Sequence, residues 1–250
     1  DSWLAHAKAY AARMVDRFRL GPQSLVVELA SNDGYLLQYF QAMGVPVLGV
    51  EPAANVAREA IRKGIPSRVE FFGRECAAAM VKEGIQADLI AANNVFAHVP
   101  DIRSFTEGMK TLLKPDGVIT IEIPHLMRLM ERNQFDTIYH EHFSYWSFIA
   151  AIRMLGEFGL TVFDVDELPT HGGSMRIYAR HAEDASHPVS ERVGALVRRE
   201  EEAGFTRLET YFAFDEKVKR TKQNILSFLI QAKQEGKSIA GYGAPGKGNT

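Results

Sequence analysis

The sequence predicts an α/β fold: a doubly wound sheet of five parallel strands closed by an antiparallel sixth and seventh strand, with a helix in front and a helical extension behind. Three observations carry this. Short apolar runs alternate with amphipathic stretches from residue 24 onward, the βαβα rhythm of a parallel sheet. The first run, Leu25, Val26, Val27 and Leu29, is nearly continuous, as in strands covered on both faces. Finally, LTVFDVDEL and SMRIYARH are joined through THGG, which is too short for a parallel crossover and so requires antiparallel pairing.

Composition bounds the setting. A chain of 250 residues, 46% hydrophobic, with a formal charge of -2 can bury roughly 70 to 75% of its unfolded surface and fill one large or two modest domains. The 29 basic and 31 acidic residues are not clustered into the positive surface that polynucleotides require, so no nucleic-acid polymer is expected as a partner. The single cysteine, Cys76, rules out an internal disulfide framework and fits a reducing cytoplasm. No apolar run approaches the roughly 20 residues of a membrane span, and DSWLAHAKAY lacks the features of a secretory signal. The expectation is a soluble cytoplasmic protein.

The elements follow in order. Trp3, Leu4, Ala7, Ala11, Met14, Val15 and Phe18 recur at helical spacing until Gly21-Pro22. SLVVELASNDGYLLQYF, residues 24 to 40, reads as strand, acidic turn and helix, the helix carrying Tyr35, Leu36, Leu37, Phe40 and Met43 on its core face. Gly44 ends that helix, VPVLGVEP is strand two, and a helix from about Ala53 to Lys63 stops at Gly64. RVEFFG is a short third strand, GRECAAAMVKEG a helix and ADLIAANNVF strand four. Ser104 to Glu107 has the spacing of a capping box, and KPDG is a turn into strand five, GVITIEIP.

Residues 125 to 146 break this rhythm. A short helix around LMRLMERN precedes QFDTIYHEHFSYW, which has no clean period and concentrates Tyr139, His140, Glu141, His142 and Tyr145, the chemistry of a functional loop. SFIAAIRMLGEFG restores a helix before the final two strands. Past Arg180 the chain becomes charged and helical, with a break near Gly204, and ends in KSIAGYGAPGKGNT, a strand followed by Gly241, Gly243, Gly246 and Lys247. The expected organisation is an N-terminal helix over 1–20, a sheet domain over 21–181, a helical segment over 182–236 and, from 237 to 250, the start of a second α/β domain cut short.

In an open α/β sheet, ligands bind beyond the carboxyl ends of the strands, beside helix N-termini. A dinucleotide needs G-x-G-x-x-G in the first turn, whereas ELASNDGYL has Ala30, Asn32 and Tyr35 where glycines belong. Glu51, some twenty residues on, suits a ribose diol in any nucleotide-binding family. An acidic first turn, five parallel strands and a closing hairpin resemble the class I S-adenosylmethionine-dependent methyltransferases, whose cationic sulfonium ligand matches Glu28 and Asp33 better than a pyrophosphate would. Glu28, Ala30, Asn32, Asp33, Gly34, Glu51 and Asn93 are the expected donor-binding residues. Phe71, Phe72 and Met80 read as core, with Phe72 also a candidate to flank an adenine.

Five blocks in order, ELASNDGYL, ANNVFAHVPD, LLKPDG, QFDTIYHEHFSY and LPTHGGSMRIYAR, resemble the sugar C-methyltransferases that act on nucleotide-activated 4-keto-deoxyhexoses. The resemblance implies that a base removes the proton on the sugar carbon next to the C4 ketone, at C3, and that the enolate takes the sulfonium methyl. On matching positions His142 would be the base, Glu141 and Tyr139 its orienting groups, and His98 and Asn94 the lining of the sugar pocket, with His140 and His171 as further substrate contacts. It also implies a zinc module before the first helix and a second α/β domain in which Lys247 contacts a substrate phosphate, so the chain is expected to be part of a longer protein.

Carbon methylation needs a base near neutral pKa, which histidine at about 6.5 provides, and a donor facing the enolate oxygen, for which His98, Tyr139 and His140 are all candidates. Blander readings compete. His98 could cap a loop, Asn93 and Asn94 could serve local backbone groups, and His125 reads as structural or surface. His140 and His142 alternate along a possible extended segment, but Glu141 would then point away, so no metal site is expected. The rival functions are an O-methyltransferase, an inactive S-adenosylmethionine-binding fragment and a nicotinamide dehydrogenase.

Overall fold

The computed structural model describes residues 2–241 and 243. Its strands are β1 (Val26–Leu29), β2 (Val47–Val50), β3 (Ser67–Arg68), β4 (Ala87–Asn93), β5 (Leu113–Pro124), β6 (Leu160–Leu168) and β7 (Ser174–His181). They form one sheet in the order β3-β2-β1-β4-β5-β7-β6, with β7 antiparallel to both β5 and β6. The predicted five parallel strands and closing hairpin are therefore present. The chain reverses its direction of winding between β1 and β4, and a crevice opens at the strand ends there.

Helices cover both faces. α1 (Ser2–Phe18) and α2 (Leu37–Ala42) pack Tyr10, Met14, Leu36, Leu37 and Phe40 against Val26, Leu89 and Tyr178 on one side. On the other, α4 (Arg74–Lys82), α5 (Ile102–Leu112) and α7 (Phe148–Glu157) pack Met80, Phe105, Met109 and Phe148 against Val27, Leu29 and Ile90. Neighbours in β1 thus serve opposite cores, which is why its apolar run is unbroken. The remaining helices are α3 (Ala54–Arg62), α6 (Leu126–Glu131), α8 (Glu191–Glu202) and α9 (Leu208–Gln234), with α8 and α9 parted at the expected break near Gly204.

Several local expectations change. The cap of α5 is Asp101, whose side chain accepts from the Ser104 amide at 3.0 Å, so Ser104 lies inside the helix. Asp and Ser are equally good caps, and the earlier one allows a longer helix. KPDG is not a free turn but a bulge within β5: Ala87 pairs with Leu113 and Leu89 with Val118. β3 stops at Arg68, leaving Phe71 82% exposed rather than in the core, because β3 is an edge strand with a neighbour only at β2. Met43 is also exposed, one residue past the end of α2.

α9 has no buried residue and leaves Leu208, Phe212 and Phe228 exposed. Residues 237–241 form no strand, since no described strand runs beside them. Gly246 and Lys247 lie outside the described residues. Among the described residues no helix is long and apolar enough to cross a membrane.

Candidate active site

Two openings adjoin at the carboxyl ends of β1 and β4. The first, the strand-end cleft, consists of neighbouring cavities of about 410 and 430 Å³ that share Ala30, Val95 and His98. One is polar, with Asn32, Asp33 and Asn93 under Trp3 and Tyr35; the other is apolar, with Val50, Pro52, Phe72, Val99 and Phe105. Its floor is the turn after β1. Ala30 and Asn32 both take left-handed backbone, φ 56° and 50°, a conformation that costs an alanine about 1–2 kcal/mol.

Glu51 holds that turn in place: its carboxylate accepts from the Asn32 amide at 3.0 Å and from the Ala53 amide at 2.8 Å. Each oxygen keeps capacity for a further donor, so fixing the turn and receiving a diol are compatible. Gly34, at φ 76°, lies against Ile65, which a Cβ would meet at 3.0 Å; its place in the turn is conformational. Asp33 lines the cleft but is also bridged to Lys63 at 2.6 Å, so its charge is shared.

Glu28 does not line the cleft. It is 1% exposed beneath the turn and its Oε2 has no partner among the described residues. Burial, reinforced by the carboxylates of Asp33 and Glu51, pushes its carboxyl well above the usual range. Glu28 thus sits beneath the turn rather than on the cleft wall where its carboxylate was expected to face a sulfonium.

The second opening, the loop cavity, has a volume of about 220 Å³ and is walled by Asn94, His98, His125, Tyr139, His142 and His171, among others. Its chemistry comes from a turn. The His142 amide donates to the Tyr139 carbonyl at 3.0 Å, the closure of a β-turn with His140 and Glu141 as its central residues. The extended segment considered from the sequence is thus replaced by a reversal. Tyr139 and His142 come together, Oη to Nε2 at 3.1 Å, while His140 and Glu141 are exposed and outside the cavity wall.

The turn is anchored at both ends. The Phe143 amide donates to the Ala97 carbonyl at 2.8 Å, and Tyr145 Oη accepts from the Tyr139 amide at 3.0 Å. This sets the His142 ring edge-on to His98, with centroids 4.7 Å apart. His98 belongs to the walls of both openings, as does Asn94. Asn93 Oδ1 and both polar side-chain atoms of Asn94 are buried without partners among the described residues. They do not serve the local backbone, and buried polar atoms at a cavity wall are suited to ligand contacts. His171 sits at the β6–β7 connection with φ 51° and its ring edge against Trp3 at 5.6 Å.

Three contributors went unread in the sequence. Trp3 brings α1 over the strand-end cleft, and Tyr35 lines it from the turn. His125 is 1% exposed in the loop-cavity wall, and its Nε2 lies 2.7 Å from the buried carboxylate of Glu200. It follows the last residue of β5, so the rule that ligands bind beyond the carboxyl ends of the strands would have pointed to it. Among the described residues no group of three or more His, Cys, Asp or Glu is placed to hold a metal ion.

A family profile described as a methyltransferase domain matches residues 3–165, and one described as a C-methyltransferase C-terminal domain matches residues 169–250. The chain is 36% identical to the C-methyltransferase NovU of Streptomyces niveus over 99% of its own length and 59% of that relative's. It therefore spans little more than half of that protein. A ubiquinone biosynthesis O-methyltransferase of Rhodopseudomonas palustris is 25% identical over 47% of the chain and 48% of the relative.

Similar folds include the 1,6-didemethyltoxoflavin-N1-methyltransferase of Burkholderia thailandensis with bound S-adenosylhomocysteine, at TM-score 0.53 and 17% identity over 73% of this chain and 82% of that one. Another is the magnesium protoporphyrin IX methyltransferase of Synechocystis PCC 6803 with bound S-adenosylmethionine, at TM-score 0.52 and 14% identity over 70% and 78%. With the methyltransferase-domain profile covering most of the chain, the chain belongs to the methyltransferase family that this profile describes.

Proposed function

We propose that the protein transfers a methyl group to carbon in a nucleotide-linked keto-deoxysugar of the cytoplasm, at C3 beside a C4 ketone. The strand-end cleft fits the donor: it offers Asp33 and Asn93 at a polar end and Phe72, Val50 and Val99 at an apolar one, matching an amino-acid tail and an adenine. S-adenosylmethionine bound there supplies an electrophilic sulfonium methyl. The loop cavity takes the sugar. The observation that carries this reading is that His98 walls both openings and lies ring to ring with His142 at 4.7 Å, so donor and acceptor would meet where two histidines face each other.

In this reading His142 removes the proton from the carbon beside the ketone, and the C–H pair remains on the sugar as an enolate. His98 donates to the developing enolate oxygen; His140 is too exposed for that part. Tyr139, bonded to His142 at 3.1 Å, holds the imidazole in place. Such a base contributes about 10²- to 10⁴-fold, and an oxyanion donor about 10²- to 10³-fold. The name of the Streptomyces niveus relative supports carbon as the acceptor atom.

Incubation of the full-length protein with a keto-sugar nucleotide in deuterated water, without S-adenosylmethionine, tests the carbon-acid step. Deuterium should enter at the carbon beside the ketone. Methylation of a hydroxyl with no such exchange would replace this reading with O-methyl transfer.

A further inference from the structure

His125 and Glu200 form a buried pair that joins the wall of the loop cavity to a helix outside the segment matched by the methyltransferase-domain profile. Glu200 lies on α8, within the part of the chain matched by the C-terminal family profile, and is 0% exposed. One carboxylate oxygen accepts from the Phe148 amide at 2.7 Å and faces His125 Nε2 at 2.7 Å, while the other accepts from the Ile149 amide at 2.8 Å. Glu200 therefore holds the first turn of α7 and the ring of His125 at once, where a carboxylate also complements the helix dipole.

The pairing determines the imidazole's chemistry. A carboxylate that receives two backbone N–H groups is an acceptor, so Nε2 must carry a proton and donate it. In the neutral ring that leaves Nδ1 with a lone pair. Nδ1 is buried and has no partner among the described residues, and the ring forms part of the cavity wall. An acceptor nitrogen kept unpartnered at a cavity is unfavourable unless a ligand satisfies it. A preset tautomer at such a place suits a hydroxyl group.

We infer that His125 is a substrate-binding residue that accepts a hydrogen bond from a hydroxyl of the sugar acceptor through Nδ1, and that Glu200 is the positioning residue that sets its tautomer. This rests on the reading of the loop cavity as the acceptor site. It gives that site a means of selecting a hydroxylated acceptor, separate from the His98–His142 chemistry.

The test uses full-length protein, with turnover of the keto-sugar nucleotide by the wild type established first; absence of that turnover counts against the proposed function, not against His125 alone. His125→Phe should then raise the acceptor KM by about tenfold with S-adenosylmethionine affinity unchanged in calorimetry. Among acceptor analogues each lacking one hydroxyl, one should bind wild type and variant equally. His125→Asn, which can present an oxygen near the Nδ1 position, should recover most of the loss.

Glu200→Gln gives an independent reading. With its NH₂ turned to His125, the new amide keeps the Ile149 bond, gives up the Phe148 bond, which shares its oxygen with His125 in the wild type, and donates to Nε2, which moves the ring proton to Nδ1. The nitrogen-15 shifts of His125 should report this tautomer, and the acceptor KM should rise as in His125→Phe. If His125→Phe loses S-adenosylmethionine binding, the structure has been disturbed and Glu200→Gln decides. A flipped tautomer with an unchanged acceptor KM, or a His125→Phe variant that keeps both donor affinity and acceptor KM, overturns the proposal.

Discussion

The strand-end cleft and the loop cavity share His98 yet are built in opposite ways. The cleft rests on the ends of β1, β2 and β4, and its turn is fixed by backbone amides held on Glu51. The loop cavity is assembled from four separated segments, around residues 94–98, 124–129, 134–142 and 171–173, held by contacts such as Phe143 to Ala97 and Gln134 Nε2 to the Gly172 carbonyl at 3.2 Å. Sites on strand ends inherit the rigidity of the sheet, whereas a loop site depends on long-range bonds. If this contrast is functional, changes in the cavity should alter chemistry without touching donor affinity, and changes in the cleft should do the reverse.

The largest expected break is His142→Phe. It should lower kcat by about 10²- to 10⁴-fold and abolish deuterium exchange, with S-adenosylmethionine still bound in calorimetry. Loss of donor affinity instead would erase the separation between the two openings. Tyr139→Phe removes only the hydroxyl 3.1 Å from His142 and should cost about 5- to 150-fold in kcat/KM, the range of about one to three kcal/mol; single-turnover kinetics can place that loss in the chemical step.

Two changes probe the turn on which the cleft rests. Glu28, with its carboxyl raised by burial, keeps its proton in the folded chain over a range where the unfolded chain has lost it. Stability conferred by the neutral carboxyl is complete below the unfolded value near 4.3 and declines as pH rises towards the folded value. Glu28→Gln removes that decline, so its melting temperature relative to wild type should be higher at pH 8 than at pH 5. A difference independent of pH would show that Glu28 does not titrate this way.

The smallest effect belongs to Ala30→Gly. Relief of a left-handed alanine, less the entropy of glycine, is worth about 1 kcal/mol and should raise the melting temperature by about 2–4 °C. Exchange at the sugar carbon should not change. Thermal melts and the deuterium assay read the two quantities separately.

Much of this architecture is legible along the chain because its signals are local. The apolar run at Leu25 to Leu29, the break near Gly204 and the short THGG connection each express backbone geometry over a few residues, and each appears where expected. The misplaced details are those in which two local options have nearly equal energy. Asp101 and Ser104 can both cap a helix, and Phe71 and Phe72 are alike in sequence although one lies in the open and the other packs on Phe105 at 5.3 Å.

The candidate site divides in the same way. Composition and order of residues by themselves determined the alternation of strands and helices, the absence of a pyrophosphate turn, and the concentration of Tyr139 and His142 in one loop. They could not determine that the loop reverses between those two residues and turns His140 and Glu141 outward, that Glu28 is buried beneath the turn with its carboxyl pushed above the usual range, or that His125 meets Glu200 across 75 positions. Those outcomes depend on burial and on bonds between distant segments, which only the folded sheet brings within reach of one another.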